Sequence, residues 1–248
     1  MNIKSNLKFS RLTGATANPR ASIVTASCVA ACTFALFGVV VAQPAPQGAQ
    51  PGPGTAVVQP GVHPRHLELD EIPAGMYDVY TKETLVRYGV DHMGFSEYWG
   101  TFPGATGTLV FDPKDIGATK INVKVPIAEV ETTNRELNGQ LFSDEFFDAE
   151  NYPWMTFSST KVVRTGPKGF KVTGDLTMHN ITKPVVLDVT FHGAGHDPFT
   201  GKDVIVGFDA KGAVKRSEFG LGKYVPIVSD ETTITISAEY KKRSTDHS

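Results

Sequence analysis

The chain has 248 residues, with 24 Lys and Arg against 26 Asp and Glu, and a formal net charge of −2. This balance argues against nucleic acid as a partner and against an acidic tail. The two cysteines are Cys28 and Cys32. The rest of the chain therefore offers no disulfide, no cysteine nucleophile and no cysteine metal ligand.

The N-terminal segment predicts an export signal. Residues 1–20 carry four basic residues and no acidic one, and an uncharged apolar run follows from Ile23 to Ala42. We expect a signal peptide over residues 1–42 that is cleaved after Ala42. Two alternatives stay open: an uncleaved membrane anchor, since about 20 apolar residues span a bilayer, and lipidation at Cys32. Each of them places the folded domain in the periplasm or outside the cell.

Residues 43–74 are predicted to form a disordered linker. They are rich in Pro, Gly and Gln, and such a segment buries too little apolar surface to offset its conformational entropy. The folded domain is then expected over residues 75–242, with a short tail at 243–248.

From Gly75 onward, apolar and polar residues alternate with a period of two, which is typical of antiparallel strands with one buried face. The clearest apolar faces are Val86, Tyr88, Val90 and His92; Ile121, Val123, Val125 and Ile127; Val172, Gly174, Leu176 and Met178; Val185, Leu187, Val189 and Phe191; and Thr232, Ile234, Ile236 and Ala238. One stretch, Thr132 to Phe147, has apolar residues at loosely helical spacing. About eight strands with one short helical insertion predict an all-β sandwich or closed barrel.

The interior of an eight-stranded barrel is either filled by side chains or holds one slim ligand. Small residues at several inward positions, such as Gly174, Gly212 and Ala238, could leave a tunnel, although a packed core is the default expectation. Alternation by itself does not distinguish a tunnel from a packed core.

Five ordered segments carry a family resemblance. They are Arg87-Tyr-Gly-Val-Asp-His-Met-Gly94, Glu131-Thr-Thr-Asn-Arg-Glu-Leu137, the segment from Phe146 to Thr160, Lys171-Val-Thr-Gly-Asp-Leu-Thr-Met178 and Arg216-Ser-Glu-Phe-Gly-Leu221. Together they resemble the YceI-like family of polyisoprenoid-binding proteins of bacterial periplasms, from about Gly75 to Lys242. The resemblance implies an antiparallel eight-stranded lipocalin-like barrel that encloses a polyprenyl chain, such as a polyprenyl pyrophosphate or a quinone tail. It implies no established catalytic residue.

A polyprenyl chain needs a continuous apolar lining, because each buried CH₂ group contributes about 0.8 kcal/mol. We expect the lipid cavity to be lined by Val86, Tyr88, Val90, His92, Phe111, Trp154, Phe157, Phe170, Leu176, Phe191 and Phe208. His92 and Arg135 are candidates for contact with the head group, although Arg135 could instead pair with Glu136. Arg216 could also hold a phosphate, but we expect it to pair with Glu218 and stiffen a loop. The spacing of His192 and His196 falls in a turn, so we expect no metal site.

The sequence thus predicts a protein that carries, stores or scavenges a polyprenyl lipid in the periplasm, with the bound polyisoprenoid in place of a cofactor. Two other functions stay open: an enzyme that uses His92 as a base, and a packed barrel that acts through surface partners in a stress response. Membrane proximity, through the leader or through lipid delivery, and a homodimer also stay open as expectations.

Overall fold

The computed structural model describes residues 66–244, which form ten β-segments and one α-helix. The β-segments are β1 (Gly75–Val79), β2 (Leu85–His92), β3 (Ser96–Phe102), β4 (Thr106–Phe111), β5 (Lys120–Pro126), β6 (Trp154–Arg164), β7 (Gly169–Met178), β8 (Ile181–His196), β9 (Val204–Lys215) and β10 (Val228–Lys242). The helix, α1, spans Arg135–Phe142. Within the described residues, no helix is long and apolar enough to cross a membrane.

The ten segments occupy eight strand positions. β1 and β2 lie end to end beside β10, because Val79 pairs with Tyr240 and Leu85 pairs with Ser237. β3 and β4 continue each other in the same way, β3 beside β2 and β4 beside β1. All pairings are antiparallel, and the order β1-β4-β5-β6-β7-β8-β9-β10 closes through the β1–β10 pair. The predicted antiparallel eight-stranded barrel is confirmed, and its closure leaves few strand edges open to aggregation.

One end of the barrel is closed by a packed core. The ring of Phe208 lies 5.8 to 6.3 Å from the rings of Phe111, Phe170, Phe191 and Tyr240. These edge-on contacts are a favourable arrangement for aromatic rings. They make this end of the barrel, where β8 ends and β9 begins, a solid floor.

The segment before β1 covers this closed end, so the fold begins earlier than residue 75. The Leu67 amide donates to the carbonyl of Ala194 at 2.8 Å, and Leu69 and Ile72 are buried. The predicted linker, residues 43–74, is therefore ordered over residues 66–74. These few apolar side chains have a surface to pack against, which linker composition did not reveal. Residues 1–65, with the predicted signal peptide, and residues 245–248 of the predicted tail lie outside the described residues.

At the opposite end, a loop fills the space between β3 and β5. β3 pairs with β2 along its length, but on its other side it makes a single bridge from Thr101 to Glu131. The loop carries α1, which begins after Asn134, whose side chain accepts hydrogen bonds from the amides of Glu136 and Leu137. Such an N-cap satisfies amides that have no partner within the helix. Leu141, just before the helix ends, is buried against the barrel, so α1 lies over its open end.

Candidate functional site

The barrel encloses a cavity of about 830 Å³. The cavity runs from the aromatic floor, where Phe208 and Tyr240 line it, to a mouth beside His92, Tyr98 and Val228. Between these ends the lining comes from alternate residues of the strands. Because side chains alternate across a strand, the same face supplies the wall over the whole length.

The lumen is open partly because aromatic rings lie flat against glycines of neighbouring strands. A Cβ atom added at Gly100 would lie 2.4 Å from the ring of Tyr88, and one added at Gly174 would lie 2.4 Å from the ring of Phe157. Tyr88 and Gly100 are directly paired across β2 and β3. A larger residue at either glycine would push the ring away from the wall and into the lumen.

Most of the residues predicted to line the cavity do so. The lining includes Val86, Tyr88, Val90, His92, Phe111, Phe157, Phe170, Leu176 and Phe208. Four of these come from β2, whose apolar face was read from simple alternation. That these side chains contact a lipid remains a prediction.

Trp154 and Phe191 were wrongly predicted to line the cavity. Trp154 is 43% exposed, and the Lys124 ammonium lies 4.6 Å from the centre of its ring. Trp154 and Phe157 are three residues apart on one strand, so they face opposite sides of the sheet. Phe191 does face inward, but it lies in the solid core behind Phe208, beyond the cavity floor.

The two head-group candidates differ in position. His92 lines the mouth, with its ring 5.8 Å from that of Tyr98. Arg135 is exposed at the start of α1 and does not line the cavity, although its neighbours Asn134 and Glu136 do. Among residues 66–244, no three His, Cys, Asp or Glu side chains are grouped as metal ligands would be.

A set of polar side chains, which we call the mouth bridge, joins the α1 loop to the loop before β10. It consists of Gln140, Glu145, Lys223 and Tyr224. The Lys223 ammonium lies 2.5 Å from the Glu145 carboxylate, and the Gln140 amide donates to the Tyr224 hydroxyl at 3.3 Å. The hydrogen bond from Lys223 lowers the pKa of Glu145, and the same bond raises the pKa of Lys223. All four residues line the cavity, so the bridge forms part of its entrance.

Arg216 holds the second of these loops in place, as the sequence suggested, but through different partners. Its guanidinium is buried and donates to the carbonyls of Leu221, Lys223, Val228 and Ser229 at 2.5 to 3.0 Å. The sequence had pointed to pairing with Glu218. Four backbone carbonyls make this arginine a fixed part of the loop.

Hydroxyl-bearing side chains, among them Tyr88, Thr119 and Thr232, interrupt the apolar wall. Within the described residues, the Oγ1 atoms of Thr119 and Thr232 are buried without a hydrogen-bond partner, and both residues line the cavity. Burial raises the pKa of the Tyr88 phenol, which keeps it neutral at physiological pH. The cavity is therefore mainly apolar, with neutral hydroxyl groups in its wall and the charged Glu145 and Lys223 at its mouth.

Several residues of the site were not predicted from the sequence. Leu137, Leu141, Phe146 and Phe147 line the mouth from the α1 loop, and Tyr224 lines it from the opposite loop. The loosely helical spacing around Leu137 and Leu141 was recognised, but nothing in that spacing indicates that the helix covers a barrel mouth. Loop residues have no period from which their orientation can be derived.

Comparison with known proteins identifies close counterparts of this barrel. Residues 77–240 match the YceI-like domain. Protein YceI of Escherichia coli O157:H7 is 36% identical over 158 residues, which cover 64% of this chain and 81% of that protein. The crystal structure of Burkholderia cenocepacia BcnA has a TM-score of 0.59 at 25% identity and covers 65% of this chain and 98% of BcnA. A polyisoprenoid binding domain from Saccharophagus degradans, implicated in plant cell wall breakdown, shares the fold with a TM-score of 0.50 at 10% identity, over 69% of this chain and 100% of that domain.

Proposed function

We propose that this chain, which belongs to the YceI-like family, binds one long-chain polyisoprenoid lipid inside its barrel and carries, stores or scavenges it in the periplasm. The observation that carries the proposal is the apolar cavity of about 830 Å³ between the mouth and the aromatic floor. An eight-stranded barrel of this kind is wide enough for one slim ligand.

The energetics favour a hydrocarbon chain over a polar metabolite. Each CH₂ group moved from water into the lumen contributes about 0.8 kcal/mol, so a chain of several isoprene units needs few polar contacts for tight binding. A polar metabolite would leave most of its hydrogen-bonding groups unpaired against such a wall, which is costly. The domain of the same fold that is described as polyisoprenoid binding supports the same ligand class.

A binding function fits the entrance better than catalysis does. Lys223 and Glu145 at the mouth are paired with each other, and the Arg216 guanidinium is bound to backbone carbonyls. An acid–base mechanism at His92 needs a second polar group placed to share in proton transfer. The Tyr98 ring lies in tilted contact with His92, and the Tyr98 hydroxyl is hydrogen-bonded to the Thr133 hydroxyl at 3.2 Å.

The proposal is tested by native mass spectrometry of the protein purified from its own host, followed by organic extraction of whatever is bound. We expect one isoprenoid lipid per chain, released on denaturation. A ligand-free barrel after gentle purification, which then fails to take up polyprenol from detergent micelles, would contradict the proposal.

Substitutions on the two faces of the sheet give the matched comparison. Leu176→Asp or Val90→Asp places a carboxylate in the lumen, so we expect polyprenol uptake to be lost. Val186→Asp is the control, because Val186 is 45% exposed between two lining residues of β8. Uptake retained in both lumen variants, with their folding verified by circular dichroism, would show that the lumen does not hold the lipid.

A further inference from the structure

Four exposed apolar side chains surround the entrance of the cavity, and we call them the apolar rim. Phe95 is 85% exposed, Ile227 65%, Tyr224 49% and Met93 45%. Single exposed apolar residues are common on protein surfaces, whereas a contiguous group next to a binding site marks an interaction surface.

Strand register places the rim at the mouth. His92 on β2 is paired with Val228 on β10, and both residues line the cavity. Met93 and Ile227 are the next residues along these two antiparallel chains, so they lie side by side just outside the entrance. Tyr224 is held nearby by the hydrogen bond from the Val228 amide to its carbonyl, 2.9 Å long.

Two rim residues adopt a backbone conformation that disfavours their side chains. Met93 and Gly94 form a two-residue hairpin turn with φ of 60° and 71°, closed by the bond from the Phe95 amide to the His92 carbonyl at 3.1 Å. Asn-Gly or Gly-Gly is the usual choice for such a turn. Tyr224 also has a positive φ, of 66°. Local strain retained at a site points to a function for the strained residues, and here the strain presents bulky apolar groups outward.

The charged groups beside the rim are already bound within the protein. The Asp91 carboxylate accepts from the Gly94 amide at 2.7 Å, and Lys223 is paired with Glu145. The rim therefore lacks a cluster of unpaired cations that would attract an acidic partner. Its chemistry is that of hydrophobic contact.

We propose that the apolar rim inserts into the interfacial region of a phospholipid bilayer and thereby brings the cavity mouth into contact with the membrane's apolar layer. This inference rests on the proposed function, because a polyisoprenoid resides in a bilayer and reaches the lumen without crossing water if the mouth touches that bilayer. Phe and Tyr at a protruding tip are side chains suited to this interface.

The test uses the full chain and vesicles of phosphatidylethanolamine and phosphatidylglycerol in a 3:1 ratio. Phe95→Ser combined with Ile227→Ser is expected to weaken vesicle cosedimentation at least about tenfold, because each inserted side chain gains much of its transfer free energy. Phe199→Ser is the matched control. Phe199 is 81% exposed in the hairpin between β8 and β9, at the closed end of the barrel. Any attraction due to the N-terminal segment is the same in all variants, so the difference reports on the rim.

Insertion is measured separately with brominated lipids. Phe95→Trp is expected to add a tryptophan signal that these lipids quench, whereas the signal added by Phe199→Trp stays unquenched. Changing the salt from 50 to 500 mM should alter the ratio of vesicle binding between the wild type and the rim double variant less than about twofold, since screening acts on charges and not on apolar contact.

A third variant separates docking from folding. Met93→Asn suits the left-handed turn better than Met does, so we expect a higher melting temperature together with weaker vesicle binding. If Met93 served only to stabilise the fold, Met93→Asn would lower the melting temperature and vesicle binding together.

The outcomes also separate this inference from the proposed function. Docking is supported if the rim double variant takes up polyprenol from detergent micelles as fast as the wild type does but takes it up from vesicles more slowly. Equal vesicle binding and equal uptake from vesicles in both overturns the inference and leaves the lipid-binding proposal intact. A wild-type dimer that the rim substitutions convert to a monomer, without a change in vesicle binding, also overturns it, because a second copy would then cover the rim. No uptake by the wild type from either source overturns the lipid-binding proposal, while cosedimentation still decides the docking.

Discussion

The Thr232 hydroxyl is a polar atom in an apolar wall. Its Oγ1 is buried without a hydrogen-bond partner among the described residues, and such a group costs about 1 to 3 kcal/mol. Thr232→Val keeps the shape and removes that cost, so we expect the ligand-free protein to gain about 1 kcal/mol in its free energy of unfolding, measured in urea.

The neighbouring Thr233 is the control for this prediction. Its hydroxyl donates to the Gly89 carbonyl at 3.2 Å on the other face of β10, so Thr233→Val should give no gain. A loss of stability in Thr232→Val would show that the hydroxyl has a partner after all.

Tyr240 gives the protein a sensitivity to alkali. Burial raises the pKa of its phenol to about 12 from the ordinary value of 10.0. The neutral phenol is favoured in the folded state, so this contribution to stability is complete below pH 10 and is lost as the pH rises toward 12. At pH 11 the loss is about 1.4 kcal/mol.

The free energy of unfolding should fall less between pH 9 and pH 11 in Tyr240→Phe than in the wild type, because the phenol that ionises is gone. Tyr224→Phe, at an exposed position, should keep the wild-type decline. If the two variants decline equally, burial of Tyr240 does not control the effect.

Single residues show where reading the sequence succeeds and where it fails. Strict alternation predicted that Val86, Tyr88, Val90 and His92 of β2 share the inward face, and all four line the cavity in the structure. The same rule, applied consistently, would have excluded Trp154 once Phe157 was chosen. Phe191 has the right parity but lies too deep, because its depth along the barrel depends on its pairing with Phe208 of β9, a contact between residues far apart in the chain.

At the scale of elements, the pairing of Tyr88 with Gly100 across β2 and β3 keeps the lumen open. The three atoms nearest to a Cβ atom at position 100 would all belong to the Tyr88 side chain. We expect Gly100→Ala to turn the Tyr88 ring into the lumen and to lower polyprenol uptake several-fold, at a cost in stability of about 1 kcal/mol.

Gly139 on α1 offers the comparison, because a Cβ atom there meets nothing within 4 Å. Gly139→Ala should leave uptake unchanged and slightly stabilise the helix. Normal uptake in Gly100→Ala would mean that the Tyr88 ring can take another position outside the lumen.

The loop before β10 depends on Arg216 as a cross-link. Arg216→Lys supplies a single ammonium in place of a guanidinium that contacts four carbonyls, so several buried acceptors lose their donor. We expect a loss of about 2 kcal/mol in the free energy of unfolding. Arg164→Lys, at a partly exposed position on β6, should change it by less than about 0.5 kcal/mol. Equal effects of the two substitutions would show that the four contacts carry no special weight.

Elements were easier to predict than their arrangement. The alternating strands and the helical interruption near Leu137 are local patterns, and both are present in the structure. The break of one strand position into β1 and β2 was not predicted, nor was the position of α1 over the mouth. Both depend on contacts between residues far apart in the chain, such as Val79 with Tyr240.

For the whole molecule, surface carboxylates link stability to acid. Hydrogen bonds from Ser217 lower the pKa of Asp230, and those from Arg243 lower the pKa of Asp78. A lowered pKa means that the contribution to stability is complete above the ordinary value near pH 4 and is lost as the pH falls below it. We expect the urea midpoint to be steady from pH 7 to pH 5 and to drop by pH 3.

Asp230→Asn should reduce that drop, since one of the titrating groups is gone. Asp112→Asn, at a position outside these pairs, should leave it as in the wild type. An acid profile that is unaffected by Asp230→Asn would assign the decline to other groups.

The family resemblance implied the closed lipocalin-like barrel and its enclosed ligand, whereas the alternation of residues left a sandwich or a barrel, and a packed core or a cavity, undecided. A packed core and an open cavity give the same alternating sequence pattern. They differ in whether aromatic side chains such as Phe157 lie against the wall or point into the lumen. Whether a ring fills the lumen depends on whether a nearby position on the neighbouring strand, here Gly174 beside the Phe157 ring, leaves room for it.

The solid floor around Phe208 has a consequence for how a ligand can enter and leave the barrel. Because one end is sealed, the barrel holds a cavity with a single opening and is not a channel. If the proposed lipid is bound, it would leave through the mouth by which it entered, and a second molecule could enter only after the first had left. Exchange of a bound ligand would then be limited by its release at the mouth, not by passage through the barrel.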